Sequence, residues 1–184
     1  MRLFVAVNLP EELRRTIHEA TAPLRAAGVR VRWVDTSAMH ITLKFLGEVP
    51  AERVTEVERA LERAAAGMRA FPVAVEGAGA FPSADRARVV WVGCEAAPPL
   101  ELLQHGIERE YAALGYPVEG RPFRPHVTIG RARSDARGGV RGLASLLEAV
   151  EVTGEFVVRS VDLMESTLSR EGARYTVRRA VALV

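Results

Sequence analysis

The sequence predicts a duplicated domain of mixed helices and strands, whose two related lobes face each other across a shared cleft. Two pairs of matching segments indicate the duplication. Residues 40–43 (HITL) match residues 126–129 (HVTI) at an offset of 86 (126 − 40). The apolar runs 3–7 and 89–93 match at the same offset, and each precedes a proline and a helix-like segment. Two lobes related in this way bring both histidines to one cleft.

A third match supports the repeat and sets its size. The strand-like runs 71–75 and 156–160 follow the second helical stretch of each half at an offset of 85 (156 − 71), as a one-residue indel would produce. Solenoid repeats are about 20 to 50 residues long, so a unit of this length is a lobe. A chain of 184 residues is within the usual range for one domain. We therefore expect residues 1–184 to form a single domain of two pseudo-symmetric lobes.

The first lobe begins as a strand, a helix and a second short strand. Residues 1–9 open with an apolar run typical of a buried strand, and Pro10 with two acidic residues behind it favours a helix start. Gly28 ends that helix. Residues 29–34 form a short strand, and the turn at 35–37 leads into the first histidine motif.

The motif strand 40–47 shows strict alternation. Side chains two residues apart share a face in an extended chain, so each histidine and its threonine point the same way while the aliphatic residues point into the core. The first motif thus has His40, Thr42 and Lys44 on one face and Ile41, Leu43 and Phe45 on the other. An amphipathic helix at 52–66 follows, with its charges on the solvated side.

The second half repeats this order with a longer loop before its motif. Residues 115–125 contain three prolines, a composition that resists regular structure and can hold a binding loop rigidly. The remaining predicted elements are strands at 71–81 and 87–94 with a turn at 82–85, a helix at 100–114, a charged glycine-rich turn at 133–142, a short helix through 150, and strands at 151–164 and 173–184.

The charge composition limits the class of ligand. The formal net charge is only +2, and Lys44 is the only lysine. Arginine suits phosphate recognition, but an arginine excess also follows from a GC-rich genome, so only arginines beside the motifs count as evidence. Extensive duplex binding needs a large basic face, so a nucleotide or an RNA terminus is the better fitting ligand.

Cysteine usage and hydropathy indicate the compartment. Cys94 is the only cysteine, so no intramolecular disulfide forms, and its place in a strand-like run predicts a buried thiol. No run approaches the roughly 18 apolar residues of a membrane span. The start of the chain is too short and too soon acidic for a signal peptide. We expect a soluble, cytoplasmic monomer without membrane association.

Paired histidines suit a reaction in which one proton is removed and another delivered near neutral pH. Imidazole has an unperturbed pKa of about 6.5, so one ring is neutral while the other is charged. Cleavage of a phosphodiester by water is such a reaction: one ring takes the proton of the attacking water, and the other protonates the leaving alkoxide. The threonine hydroxyls would hold the nonbridging oxygens, and the reaction needs no metal or other cofactor.

Each histidine also has a plainer explanation than catalysis. A single His-Xaa-Thr in a strand is most often chance, because threonine is common in strands, but two copies at matching places of a repeat favour function. His18 and His105 have no such partner and are predicted to lie on the surface. A metal site at His40 and His126 is the next alternative. A closed zinc site takes about four ligands, and no Cys or carboxylate accompanies either motif at a suitable spacing.

These motifs carry a family resemblance. The segments RLFVAVNLP (2–10), HITLKFLGEV (40–49) and RPFRPHVTIGR (121–131) resemble the 2H phosphoesterase superfamily, specifically the RNA 2′,3′-cyclic phosphodiesterases once called 2′-5′ RNA ligases. The resemblance spans essentially the whole chain. It implies an α+β bilobal duplicated fold, with two antiparallel sheets flanked by helices around a central cleft. It also implies metal-independent hydrolysis of a 2′,3′-cyclic phosphate at an RNA end to a 2′-phosphate.

The resemblance assigns roles residue by residue. His40 aligns with the proton donor to the 3′ oxygen and His126 with the proton acceptor for water. The two threonines match the phosphate-holding hydroxyls, and Phe45 and Arg131, each five residues past its histidine, fall where the family contacts the nucleotide. Strict alternation would turn both of these to the far face, so a bend is needed. Arg124 and Lys44 are candidates for added positive charge at the cleft, the plainer alternatives being a surface arginine and a solvent-facing strand lysine. The predicted substrate-binding residues are thus Thr42, Thr128, Phe45, Arg131 and Arg124.

Three other functions remain open from the sequence. Reversible 2′-5′ RNA joining and hydrolysis of another small cyclic phosphate could both use the same acid and base. A noncatalytic RNA-end binding module would use the cleft without proton transfer. An active enzyme should give a bell-shaped pH profile with two apparent pKa values, whereas a binding module shows no turnover.

Overall fold

A computed structural model describes residues 1–134, 136, 140–170 and 172–184. Within these residues, the strands are β1 (Arg2–Asn8), β2 (Val31–Trp33), β3 (His40–Glu48), β4 (Phe71–Phe81), β5 (Val89–Cys94), β6 (His126–Ala132), β7 (Thr153–Val158), β8 (Ser160–Ser169) and β9 (Gly172–Ala182). The helices are α1 (Glu11–Ala20), α2 (Ala22–Ala26), α3 (Val54–Ala65), α4 (Pro98–Ala113) and α5 (Leu143–Glu148). The glycine-rich turn predicted at 133–142 lies partly outside the described residues.

The strands form an antiparallel sheet in the order β7-β4-β5-β6-β3-β1-β8-β9, with β2 paired to β6. The α+β class and the duplicated fold are confirmed. The two predicted sheets are the two halves of this nine-stranded sheet, joined where Ile41 of β3 pairs with Val127 of β6. The junction therefore lies inside the two histidine motifs.

Counted from either end of the sheet toward its middle, the strands of the two halves correspond to one another in order. Val5 of β1 faces Leu163 of β8, and its repeat mate Trp91 of β5 faces Gly79 of β4. Hence β4 corresponds to β8. Strand β4 comes from the first half of the chain, but it lies in the half of the sheet that contains β5 and β6 from the second half of the chain. The offset there is 84 (163 − 79), because the register of β4 shifts at Gly77, which has a φ of +69°. The sequence match of 71–75 with 156–160 precedes that shift.

Helices α3 and α4 show why the predicted helical segments pack as they do. The buried residues of α3 recur at helical spacing and form one apolar stripe: Val54, Val57, Ala60, Leu61 and Ala65. Helix α4 buries Leu103, Ile107 and Tyr111, and the Tyr111 hydroxyl donates a 3.0 Å hydrogen bond to the Val57 carbonyl. This bond fixes α4 against α3 on the core side of the sheet.

The structure bears on three smaller predictions. His18 on α1 and His105 on α4 are both exposed, as expected of histidines without a partner. Cys94 was predicted to be buried but is half-buried, and this partial burial raises the pKa of its thiol to about 12. Among the described residues, every helix is too short or too polar to cross a membrane.

Candidate active site

The two histidines occupy equivalent places at the first residues of β3 and β6. Ile41 pairs with Val127 in an antiparallel register, and both side chains are fully buried. Continuing that register places His40 across from Thr128 and Thr42 across from His126, all four on the face opposite the buried pair. The duplicated motifs therefore form one four-residue group at the junction of the two sheet halves.

A backbone carbonyl orients each imidazole in the same way. The Nδ1 of His40 lies 2.7 Å from the carbonyl oxygen of Ala38, and the Nδ1 of His126 lies 2.7 Å from that of Arg124. A carbonyl oxygen only accepts, so Nδ1 carries the hydrogen in both rings. In the neutral ring Nε2 is then a free acceptor, and in the charged ring it is a donor. Both imidazoles thus have one nitrogen available to exchange a proton.

The surroundings shift both imidazoles toward the neutral form. Burial lowers the pKa of His40, and the charges of Arg131 and His126 lower it further, against the raising effect of the Ala38 carbonyl. Burial and the charge of Arg131 likewise lower the pKa of His126. The charge of Arg131 lowers the pKa of both rings, and the charge of His126 also lowers that of His40. These three groups therefore share one electrostatic environment. A bound phosphate anion would act in the opposite direction and favour the charged form.

Matching β-bulges provide the bend that the sequence required. Ala6 of β1 faces Thr42 while Val5 faces Lys44, so Leu43 is an extra residue in β3. Trp91 of β5 faces Thr128 while Val90 faces Gly130, so Ile129 is the extra residue in β6. A bulge of this kind resets which face the following side chains occupy. Strict alternation along both motif strands was therefore wrong.

The bulges determine where Phe45 and Arg131 lie. Phe45 is 68% exposed, and its ring centroid is 6.0 Å from that of Phe4, which lies 5.0 Å from the His40 ring. Phe45 is thus on the histidine side of the sheet, and Arg131, also exposed, acts on the pKa of both histidines. Arg124 is exposed and contributes its carbonyl to the His126 ring. Thr42 and Thr128 are half-buried.

Lys44 corrects both expectations drawn from the sequence. Its side chain is buried, and Nζ donates to Glu108 Oε2 at 2.7 Å and to the Pro117 carbonyl at 2.9 Å. Glu108 Oε2 also accepts from the Glu119 backbone amide at 3.4 Å. Lys44 is therefore neither at the cleft nor in solvent, because the bulge turns it to the core side. Its ion pair holds the loop before His126 against α4.

Aromatic rings pack against each imidazole, and sequence reasoning missed them. Tyr175 lies edge-on to His40 with ring centroids 5.1 Å apart, and Phe81 lies edge-on to His126 at 5.0 Å. Tyr175 also meets Phe4 edge-on at 5.3 Å. Tyr175 is remote in the chain and has no motif around it. Phe81 lies at the end of a predicted strand, but the sequence did not indicate that its ring would face His126.

A family comparison agrees with this duplicated geometry. The sequence profile of the LigT like phosphoesterases matches the chain twice, over residues 7–91 and 92–175. The chain belongs to the LigT like phosphoesterase family. Each match contains one histidine motif, so the two profile matches correspond to the two copies found in the sequence.

Individual LigT-like proteins resemble the chain over nearly its full length. The RNA 2′,3′-cyclic phosphodiesterase of Methanothermobacter thermautotrophicus is 33% identical over 177 residues, which are 96% of this chain and 95% of that protein. The enzyme of the same name from Archaeoglobus fulgidus is 33% identical over 179 residues, covering 95% of this chain and 96% of that one. The crystal structure of E. coli LigT complexed with 3′-AMP has a TM-score of 0.78, 30% identity, and coverage of 99% and 97%.

In the part of the chain that the structure describes, no three side chains of His, Cys, Asp or Glu lie together as a metal ion would require. The two histidines also use Nδ1 for backbone contacts, which leaves one nitrogen each. That nitrogen, Nε2, can exchange a proton or form a hydrogen bond.

Proposed function

We propose that this chain is an RNA 2′,3′-cyclic phosphodiesterase that opens the cyclic phosphate at an RNA end to a 2′-phosphate without a metal or other cofactor. The observation that carries the proposal is the pair of imidazoles at the junction of β3 and β6, each anchored through Nδ1 to a backbone carbonyl at 2.7 Å. The names of the relatives described above support the substrate class.

Two proton transfers accompany the reaction. Neutral His126 accepts a proton through Nε2 from a water as its oxygen bonds to phosphorus. Charged His40 donates a proton through Nε2 to the 3′ oxygen as its bond to phosphorus breaks. The products are a 2′-phosphate and a 3′-hydroxyl. The family resemblance assigns which histidine does which.

The charge state that this mechanism needs arises on binding. In the free site, burial lowers the pKa of both histidines, which favours two neutral rings. The phosphodiester carries a negative charge, and an anion beside an imidazole raises its pKa. Substrate binding thus favours protonation of one ring while the other stays neutral. In our assignment that charged ring is His40.

The remaining predicted residues act on the phosphate and the nucleotide. The hydroxyls of Thr42 and Thr128 donate to the nonbridging oxygens, because the register places one threonine opposite each histidine. Arg131 supplies positive charge toward the phosphate, with Arg124 beside His126 adding to it. Phe45, with its exposed ring, contacts the nucleotide. The ligand is an RNA end or a small cyclic nucleotide, and the chain acts as a monomer.

A direct test uses an RNA oligonucleotide ending in a 2′,3′-cyclic phosphate, with EDTA present throughout. The expected result is full turnover in EDTA, with addition of one water and a 2′-phosphate end by end-group analysis. Loss of turnover in EDTA would contradict metal independence. Joined strands would indicate 2′-5′ ligation, turnover of cyclic mononucleotides alone would indicate a small-molecule phosphodiesterase, and binding without turnover at any pH would indicate a binding module.

A further inference from the structure

The cavity beside His40 adjoins a second cavity that the mechanism does not use. The first, of about 360 Å³, includes His40 in its wall, and the second, of about 710 Å³, is lined by α1, by Arg25 of α2 and by residues 33–37. Arg14 and Ser37 line both cavities. Both volumes are in the range of small-ligand sites, roughly 300–1,000 Å³. Arg14 therefore lies at the junction of a path that leads away from His40.

Arg14 is a half-buried cation without a salt bridge. Its Nη1 donates a 3.3 Å hydrogen bond to the Ser37 carbonyl, and this bond is exposed to solvent. Among the residues that the structure describes, no carboxylate lies within ion-pair distance of its guanidinium. A guanidinium has five N–H donors, of which this contact uses one. The other donors are available to an anion that enters from the cavities.

The carboxylates of the second cavity have other partners. Glu11 pairs with Arg15 at 3.2 Å, and Asp35 Oδ1 accepts from the Ser37 amide at 2.9 Å and from the Ser37 hydroxyl at 2.5 Å. These hydrogen bonds from Ser37 are the main reason that the pKa of Asp35 is lowered, and the charge of Arg14 is the smallest cause. Neither carboxylate therefore pairs with Arg14.

One turn of the backbone holds both Arg14 and His40. The Ser37 carbonyl accepts from Arg14, and the carbonyl of the next residue lies 2.7 Å from Nδ1 of His40. Consecutive Cα atoms are about 3.8 Å apart, so one nucleotide can contact both side chains. The other half of the chain has no cation at the equivalent place. Helix α4 has Pro99 and Leu100 at the offsets of 85 and 86 from Arg14.

We propose that Arg14 binds the phosphate on the 5′ side of the terminal nucleotide, and that the enzyme consequently prefers an RNA end to a nucleoside 2′,3′-cyclic phosphate. This inference rests on the proposed function, in which His40 protonates the leaving 3′ oxygen. That oxygen is bonded to C3′, and the neighbouring C4′ carries C5′ and its phosphate. The upstream chain therefore leaves the ribose on the His40 side, where Arg14 lies. The planar guanidinium suits a phosphate because it can donate two parallel hydrogen bonds.

The test compares kcat/KM for three substrates with the same base. They are adenosine 2′,3′-cyclic phosphate, its 5′-phosphorylated form, and the dinucleotide ApA ending in a 2′,3′-cyclic phosphate. The proteins are the wild type, Arg14→Gln, Arg14→Lys and the control Arg59→Gln, which removes an exposed arginine of α3 outside both cavities.

The wild type and the Arg59→Gln control should turn over both 5′-phosphorylated substrates about tenfold to a hundredfold faster than the nucleoside substrate, the effect of hydrogen bonds to a charged group. In Arg14→Gln this ratio should fall to about one. Arg14→Lys keeps the charge and loses the planar fork, so its ratio should be intermediate. Because the ratio is taken within each protein, a general loss of turnover does not imitate the expected result.

Failure of the two proposals would look different. Equal kcat/KM for the three substrates in the wild type overturns the Arg14 site. An undiminished ratio in either Arg14 variant also overturns it, and so does a gain confined to the 5′-monophosphate. Absence of hydrolysis of every substrate overturns the proposed function instead. In that case, calorimetric titration of the wild type with adenosine 2′-phosphate and adenosine 2′,5′-bisphosphate decides the Arg14 site. The bisphosphate should bind at least about tenfold more tightly, and equal or absent binding overturns the site.

Discussion

Strands β3 and β6 have the same backbone design and different neighbours. Each begins with a histidine, holds Nδ1 on a carbonyl two residues earlier, and carries a bulge three residues after the histidine, at Leu43 in β3 and at Ile129 in β6. The repeated features, the carbonyl contact and the bulge, therefore orient each imidazole toward the cleft. The orientation of the two rings is a property of the duplicated frame.

The residues after the bulges have diverged. At the offset of 86, Lys44 corresponds to Gly130 and Phe45 to Arg131. Lys44 ties β3 to Glu108, while Gly130 lies so close to Val31 and Trp33 that a Cβ there would meet Val31 Cγ1 at 2.5 Å. Duplication therefore supplied two imidazoles held in equivalent ways, and the side chains around them differ. In the proposed mechanism, this difference is what suits one ring to act as the acid and the other as the base.

The largest expected effect comes from the part that the strands share. His40→Ala and His126→Ala should each lower kcat/KM for a 2′,3′-cyclic nucleotide by about 10²–10⁴-fold, the usual contribution of a general acid or base. The double variant should be little worse than the poorer single variant, because the two groups act as a unit. His105→Ala, an exposed histidine on α4, is the matched control. Undiminished turnover in either single variant would contradict the proposed mechanism.

The next effect concerns stability and a residue present in only one strand. Lys44→Met should lower the free energy of unfolding by about 3–5 kcal/mol, because it leaves the Glu108 carboxylate buried without its partner. The measurement is urea denaturation followed by circular dichroism. Lys44→Met combined with Glu108→Leu should recover most of the loss, since no buried charge remains.

A surface ion pair provides the control for Lys44. Arg63 contacts Glu110 at 2.8 Å, but about half of the Arg63 side chain is exposed, at 53%. Arg63→Ala should therefore cost no more than about 1 kcal/mol. Equal losses for Lys44→Met and Arg63→Ala would mean that the buried pair does not stabilise the loop before His126.

Both strands also carry a threonine two residues after the histidine, and replacing it should lower turnover less than replacing the histidine. Thr42→Val and Thr128→Val keep the side-chain shape and remove the hydroxyl, so each should lower kcat by roughly a hundredfold. The loss should appear mainly in kcat, because the hydrogen bond strengthens as charge develops on the phosphate oxygens. Steady-state kinetics of both variants make the check. A change confined to KM would assign the hydroxyls to ground-state binding instead.

The sequence predicted the repeat, the motif strands and the pairing of the histidines, because all of these follow from local spacing. It did not predict the direction of Lys44, because one extra residue in a strand reverses every later side chain and periodicity carries no sign of it. It also missed Tyr175, which reaches His40 from β9 through a register fixed only in the folded sheet. The backbone carbonyls that accept from Nδ1 of each histidine were not predicted either, because residue types do not indicate where backbone atoms will lie.

The pH dependence is the smallest expected effect and tests Arg131, a charged residue of β6 whose equivalent in β3 is the uncharged Phe45. Burial, Arg131 and, for His40, the charge of His126 lower the histidine pKa values, so both limbs of the kcat/KM profile should lie below the ordinary imidazole value of about 6.5. Below the base's pKa, protonated His126 cannot accept a proton. Above the acid's pKa, neutral His40 cannot donate one.

Arg131→Gln should move both limbs of that profile to higher pH, because removing a positive charge stabilises both imidazolium forms. Phe45→Leu, at the equivalent position of β3, changes no charge and should leave the limbs in place even if turnover falls. The kcat profile of the wild type should lie at higher pH than its kcat/KM profile, because the bound anion raises both pKa values. If Arg131→Gln left both limbs unmoved, Arg131 would not share the electrostatic environment of the two rings.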